Sequence, residues 1–300
     1  MVIKLPSALT CILLFVFITN LSAQPLRQNY NVRIPFTVLD HIMIEISVNA
    51  NHSTHKFVLD NNASFIIDSG HVIAREINLD KKLPFKAPAF TPGITGKQQI
   101  IKAVDIFKTA DLSFKTDFIV IMDFFPPELK GNGVAGIIGW PIFNNIIKID
   151  FSENSISWAS ERDSIKNLDL SNKIGAKFKK RLMRKEVQIP VTINNETFVC
   201  HLDFGYNGSV LLPHKDFRKA LKDYPATLET KEFVTLGGVE KADLYSVDST
   251  EMHIGGVKMH AKVDYISSYK NNYGLIGLSL LKKLKYVLID YKDNELYFVQ

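Results

Sequence analysis

Cysteine is almost missing from this sequence: Cys11 and Cys200 are the two in 300 residues. Cys11 lies in an apolar N-terminal stretch, so the body of the chain holds one thiol. That excludes an intramolecular disulfide framework and every multi-cysteine metal site. Cys200 sits within "FVCHLD", the middle of an apolar run, where a small buried side chain is the expected role. An excess of one charge is lacking too, since a formal net charge of +5 is small for this length and does not indicate a nucleic-acid partner. His-Glu-X-X-His, Gly-X-Ser-X-Gly and Walker motifs do not occur. His52 and His55 sit in a polar turn without carboxylates at ligand spacing, so neither metal nor cofactor is expected. Long amphipathic helices are scarce, and beyond the N-terminus no stretch is long and apolar enough to cross a bilayer.

What is there begins with a leader. Residues 1–23 combine Lys4, an apolar stretch from Ile12 to Ile18 and the small-residue end Leu21-Ser22-Ala23, the pattern of a secretory signal peptide cut after Ala23; an uncleaved anchor is the alternative. An exported protein, periplasmic, cell-surface or secreted, follows. The remainder, with 46% hydrophobic and 22% charged residues over the whole chain, is enough for one large domain or two ordinary ones. Short runs of Val, Ile, Phe and Thr between Asn, Gly, Pro and Asp predict strands. Short helices are expected after Asp68 ("DSGHVIAREINL") and after Pro213 ("PHKDFRKALKDY").

The sequence then repeats itself. Ile44 to Ile67 parallels Val187 to Leu212 as strand, polar turn, strand, Asp, turn, apolar strand, and Gly136 to Trp158 parallels Gly274 to Phe298. The spacings agree: 143 residues separate Asp60 from Asp203, 138 separate Gly139 from Gly277, and 140 separate Asp150 from Asp290. Two equivalent β lobes are expected, 24–165 and 166–300. They join over Glu161 to Lys185, whose basic run Lys177 to Lys185 reads as a solvated linker or a charge-protected edge strand. So few helices argue against alternating βαβ units.

Two equivalent lobes facing each other would bring Asp60 and Asp203 together. Carboxylates that close cannot both ionise easily and share a proton, so one can act as general base on a water while the other donates to a scissile carbonyl. Asp in a tight turn after an apolar strand, paired with a later Ile137-Ile138-Gly139 or Leu275-Ile276-Gly277, resembles the aspartic peptidase superfamily, in particular retropepsin-like aspartyl proteases, here with two lobes as in pepsin. The resemblance covers nearly all of the chain after the leader. It implies an all-β fold of two acid-protease-like barrel lobes, bilobed as in pepsin or as tandem retropepsin-like domains. It implies Asp60 and Asp203 as catalytic residues, Gly139 and Gly277 as supporting glycines, and a substrate-covering flap at Thr91 to Lys97, with Gly93 and Gly96, whose counterpart is Thr235 to Lys241.

The family motif is Asp-Thr/Ser-Gly, whose hydroxyl hydrogen-bonds across the lobes. Here the turns read Asp60-Asn61-Asn62 and Asp203-Phe204-Gly205, and both hydroxyls are missing. Asn61 retains the capacity to bond across, Phe204 does not, and Asn62 can adopt the positive φ that glycine offers. The literal "DSG" at Asp68 is expected to be a helix cap, by Asp68 or Ser69; were the first-lobe register wrong, Asp68 would be the acid. His201, beside Asp203, is expected in a structural role. The expected activity is monomeric aspartic endopeptidase on peptide or protein substrates, with no nucleic acid and no membrane after leader cleavage. The alternatives are a non-catalytic peptide- or protein-binding module, and an enzyme whose second acid comes from a second copy.

Overall fold

The structure is a computed structural model that describes residues 24–25, 31–48, 53–77, 79–82, 98–103, 106–116, 118–122, 127–139, 142–180, 185–235 and 238–300. The leader, 1–23, lies outside the described residues. So do Gly93 and Gly96 with the whole Thr91 to Lys97 turn, and residues 236–237 at the tip of its counterpart.

The fold is all-β; among the described residues the strands form three sheets of eleven, six and eight. The first half builds the eleven-stranded sheet. Its Asp60 strand, Thr54–Leu59, runs antiparallel to Ile42–Val48 and parallel to Val134–Ile138. Val134–Ile138 in turn pairs antiparallel with Ile66–Asp68, which pairs parallel with Phe118–Met122, itself antiparallel to Gln98–Ala103. The second half repeats each step in the eight-stranded sheet. Glu196–Leu202, the Asp203 strand, lies antiparallel to Lys185–Ile193 and parallel to Gly274–Ile276. From there the path runs antiparallel to Val210–Leu211, parallel to Val257–Ile266 and antiparallel to Gly238–Ile254. Each Asp strand is therefore interior to its sheet, and its last residues are buried on both faces, as the apolar "FVL" before Asp60 and "CHL" before Asp203 require.

The six-stranded sheet draws on both halves. Ile146–Asp150 pairs antiparallel with Tyr286–Asp290, in a register centred on Lys148 opposite Leu288; Val32–Pro35 and Lys173–Ile174 close its edges. Both central strands are buried throughout, which explains their near-continuous apolar runs. Both end in the same hairpin. Asp150 Oδ1 accepts the backbone N–H groups of Ser152 and Glu153, Asp290 Oδ1 accepts those of Lys292 and Asp293, and each loop closes through a left-handed asparagine, Asn154 (φ 48°) or Asn294 (φ 57°). An Asn194-Asn195 turn with both φ positive (49° and 64°) joins Lys185–Ile193 to Glu196–Leu202 in the eight-stranded sheet, the type I′ chemistry of a two-residue hairpin. One contiguous apolar core, from Val32 to Phe298, runs through both halves.

Two sequence expectations are adjusted. The helix after Pro213 is present as His214–Leu221, but the one after Asp68 is a single turn, Ile73–Glu76. Its cap is Val72, without a side-chain bond, so neither Asp68 nor Ser69 caps it. Asp68 is held in the sheet opposite Met122, four residues too early to reach the helix N–H groups, and its carboxylate accepts the Gly70 N–H (3.4 Å) and pairs with Lys130 (3.4 Å). The basic run enters the fold as an edge strand, Lys177–Lys180, with its lysines exposed and Phe178 packed edge-on against Tyr291. Residues 181–184 lie outside the described residues.

Candidate active site

The chain leaves each Asp strand through a tight turn fixed by the neighbouring parallel strand. Asp60 donates its N–H to the Ile138 carbonyl and Asp203 donates its own to the Ile276 carbonyl, both at 2.9 Å. The carboxylates then fold back over their turns: Asn62 N–H donates to Asp60 Oδ1 at 2.7 Å, while Gly205 and Tyr206 N–H donate to Asp203 Oδ1 at 2.9 and 3.1 Å. Both aspartates stay half-buried. Such donors fix the orientation of each carboxylate.

Gly139 and Gly277 lie directly beneath these turns. A Cβ on Gly139 would stand 2.1 Å from the Asp60 carbonyl oxygen and 2.3 Å from that of Ala63; on Gly277 it would stand 2.4 Å from the Gly208 carbonyl and 2.5 Å from that of Tyr206. The glycines are needed for close backbone packing. Gly277 has φ −111°, outside the left-handed region.

The two turns meet across the molecule. Asn61, 1% exposed, donates from Nδ2 to the Leu202 carbonyl at 2.8 Å and accepts the Phe204 N–H on Oδ1 at 2.9 Å. Asn62 Nδ2 donates to the same carbonyl at 3.0 Å. A primary amide thus supplies both a donor and an acceptor, where a hydroxyl would play both parts with one oxygen. From the other side, Gly205 abuts the Asp60 carboxylate closely enough that a Cβ would stand 2.5 Å from Oδ2 and 2.6 Å from Cγ. The group facing Gly205 is Asp60, whereas Asp68 is engaged with Lys130 and Gly70.

The positive φ expected for Asn62 is absent: Asn62 is not among the left-handed residues, and its side chain is used instead to reach Leu202. Phe204 contributes hydrocarbon. Its ring is fully buried and stacks on Phe143 (centroids 5.7 Å apart, planes at 17°), a residue placed by its N–H bond to the Gly139 carbonyl. Tyr291 packs edge-on against Phe143, with Asn61 as its polar neighbour, and burial pushes its phenol pKa up.

Behind Asp203 lies a polar group that the sequence did not single out. Tyr206 Oη donates to Asp264 Oδ2 at 3.4 Å, and Asp264 Oδ1 accepts the Ser246 hydroxyl at 2.6 Å. Burial raises the pKa of both Asp264 and Tyr206. Its one sequence signal is the odd polar residue within two β-runs, Asp264 in "AKVDYI" and Ser246 in "DLYSVD". His201 stacks flat on Tyr273 (3.8 Å, 7°) and bonds Gln188 at 3.1 Å, a packed structural setting. Cys200 is buried, and burial raises its thiol pKa, the opposite of a reactive thiolate. Among the described residues no three His, Cys, Asp or Glu side chains are placed to hold a metal ion, and no helix is long and apolar enough to cross a membrane.

A scan of the chain against protein-family models finds no match, and a search of curated proteins finds none either.

Proposed function

We propose that the chain is a two-lobed aspartic endopeptidase, its lobes 24–165 and 166–300 arranged as in pepsin, with Asp60 and Asp203 as the catalytic pair. The observation that carries this reading is the reciprocal seating of the two Asp turns: Asn61 bonds the Leu202 carbonyl and the Phe204 N–H, while Gly205 lies against the Asp60 carboxylate. Between such acids one proton is shared. A water held by both loses a proton to the ionised carboxylate and attacks the peptide carbonyl carbon. The protonated carboxyl donates to the carbonyl oxygen, and collapse of the tetrahedral species returns a proton to the leaving amine. The substrate is an extended peptide taken up by strand-like pairing, the protein is exported as its leader indicates, and it acts as a monomer.

A second reading has one specific observation in its favour. Phe204 occupies the hydroxyl position of one turn and stacks on Phe143, so half of the crossing hydrogen bonds of an aspartic peptidase is replaced by apolar packing. A peptide-binding module that has lost the chemistry would tolerate that change. The retained carboxylates favour the enzyme, because a binder gains nothing from two facing acids that cost free energy to bury.

The deciding experiment exposes a diverse peptide mixture to the secreted protein from acid to neutral pH, with and without an aspartic-peptidase transition-state inhibitor. Inhibitor-sensitive cleavage is expected. Peptides retained uncut on folded protein at every pH would favour the binding module.

A further inference from the structure

We infer that Tyr206 is the positioning residue for Asp203: its backbone N–H fixes one carboxylate oxygen while its ring and hydroxyl are clamped between Gly208, Gly277 and Asp264. The kinetic part of this inference rests on the aspartic-peptidase reading; the geometric part does not.

Tyr206 is held at four points. Its N–H donates to Asp203 Oδ1 (3.1 Å), and its carbonyl accepts the Leu278 N–H (2.8 Å). Its ring lies over Gly277, where a Cβ would stand 2.4 Å from Cδ1. Its hydroxyl lies over Gly208, where a Cβ would stand 2.2 Å from Oη and 2.3 Å from Cζ. These two glycines leave a slot that the phenol fills. At the far end Oη meets Asp264, which Ser246 holds through its hydroxyl and Lys262 approaches to 3.7 Å. Burial first, and the Asp264 charge second, raise the Tyr206 pKa, so the phenol remains a neutral donor.

The first turn is built differently. The residue that bonds back to Asp60 as Tyr206 bonds back to Asp203 is Ala63, which has no side chain to anchor. There the fixing comes from Asn61 and Asn62, amides reaching across to Leu202. Phe204, a hydrocarbon, returns no such side-chain bond to the first half. The phenol is thus a local replacement, holding from behind a turn whose own side chain no longer holds it from the front. Geometry at a shared-proton pair must be kept to about half an ångström, so loosening it costs rate rather than affinity.

The test compares full-length wild type with Tyr206→Phe, which removes the hydroxyl, and Gly208→Ala, which displaces the ring without deleting any hydrogen-bonding group. Peptide cleavage is followed from acid to neutral pH, thermal unfolding is recorded, and the aspartate carboxyls are titrated by carbon NMR. Tyr206→Phe and Gly208→Ala are each expected to lower kcat by roughly 10–100-fold with KM within about twofold. Asp203 is expected to titrate at higher pH, since a displaced N–H stabilises its carboxylate less; the ionisable side chains that feel its charge are Tyr206 and Tyr269, and Asp60 lies against the neighbouring Gly205. Wild-type kcat and pH profile in both variants, with wild type cleaving, would overturn the positioning role and leave the peptidase reading intact. If wild type cleaves nothing, the peptidase reading fails and the titration alone decides: a shifted Asp203 in either variant sustains the positioning role, and an unshifted one in both overturns it.

Discussion

Asn61→Ala removes a side chain that satisfies two buried backbone groups in the other half of the molecule, the Leu202 carbonyl at 2.8 Å and the Phe204 N–H at 2.9 Å. A buried group left without its partner costs about 1–3 kcal/mol. The Leu202 carbonyl keeps the Asn62 amide at 3.0 Å, so the Phe204 N–H carries most of the penalty. The expected loss is about 1–3 kcal/mol, a substantial part of the roughly 5–15 kcal/mol that holds a typical protein folded. Asn62→Ala alone leaves Asn61 on that carbonyl and is expected to cost only about 1 kcal/mol. The double variant deprives Leu202 of both amides. It should therefore exceed the sum of the singles by about 1 kcal/mol, the coupling expected of two donors on one acceptor. Urea unfolding of the four proteins, read by tryptophan fluorescence, measures this cycle. An Asn61→Ala loss below about 0.5 kcal/mol, or strict additivity, would refute the claim that these amides tie the two turns together.

Other outcomes follow from the same geometry. Gly205→Ala would place a Cβ 2.5 Å from Asp60 Oδ2, so cleavage should fall at least about 100-fold while urea midpoints show a loss of only about 1–3 kcal/mol. Gly139→Ala meets two backbone carbonyls at 2.1 and 2.3 Å, neither of which can swing aside, and its unfolding midpoint should fall further than that of Gly205→Ala. Phe204→Thr restores the motif's hydroxyl but empties the stack on Phe143; a net loss near 3 kcal/mol is expected by thermal unfolding, and a stabilised variant would contradict the packing argument. Glu295, bonded to Lys173, Tyr297 and Arg162, has its pKa lowered to about 2. Its contribution to stability is therefore complete above the ordinary carboxylate range and lost as pH falls toward 2, so Glu295→Gln should flatten the loss of stability over that window in acid titration of the urea midpoint.

Much of the strand order was legible because the chain states it twice. The shared spacings of Asp60 and Asp203, Gly139 and Gly277, and Asp150 and Asp290 fall on corresponding turns, strand ends and hairpins of the two halves. Local patterns misled where a longer-range partner decides. "VIAREINL" carries helical spacing, yet pairing of Asp68 with Met122 holds the chain extended and leaves room for one helical turn. Asn62 was expected to serve through its backbone, but a nearby carbonyl from the other half makes its side chain the useful part. Gly205 illustrates the same point, since its value lies in admitting a carboxylate from Asp60, 145 residues earlier in the chain. The clamp on Tyr206 joins residues from four separated segments. No local period encodes such a contact; only the sheet brings Ser246, Asp264 and Tyr206 together.

The most direct test of the central claim compares Asp60→Asn and Asp203→Asn with wild type on one peptide found to be cleaved, each variant shown to be folded by its urea midpoint. If the two carboxylates share the catalytic proton, either change alone removes cleavage to background, because the remaining acid lacks its partner. Cleavage retained in both single variants would contradict the account.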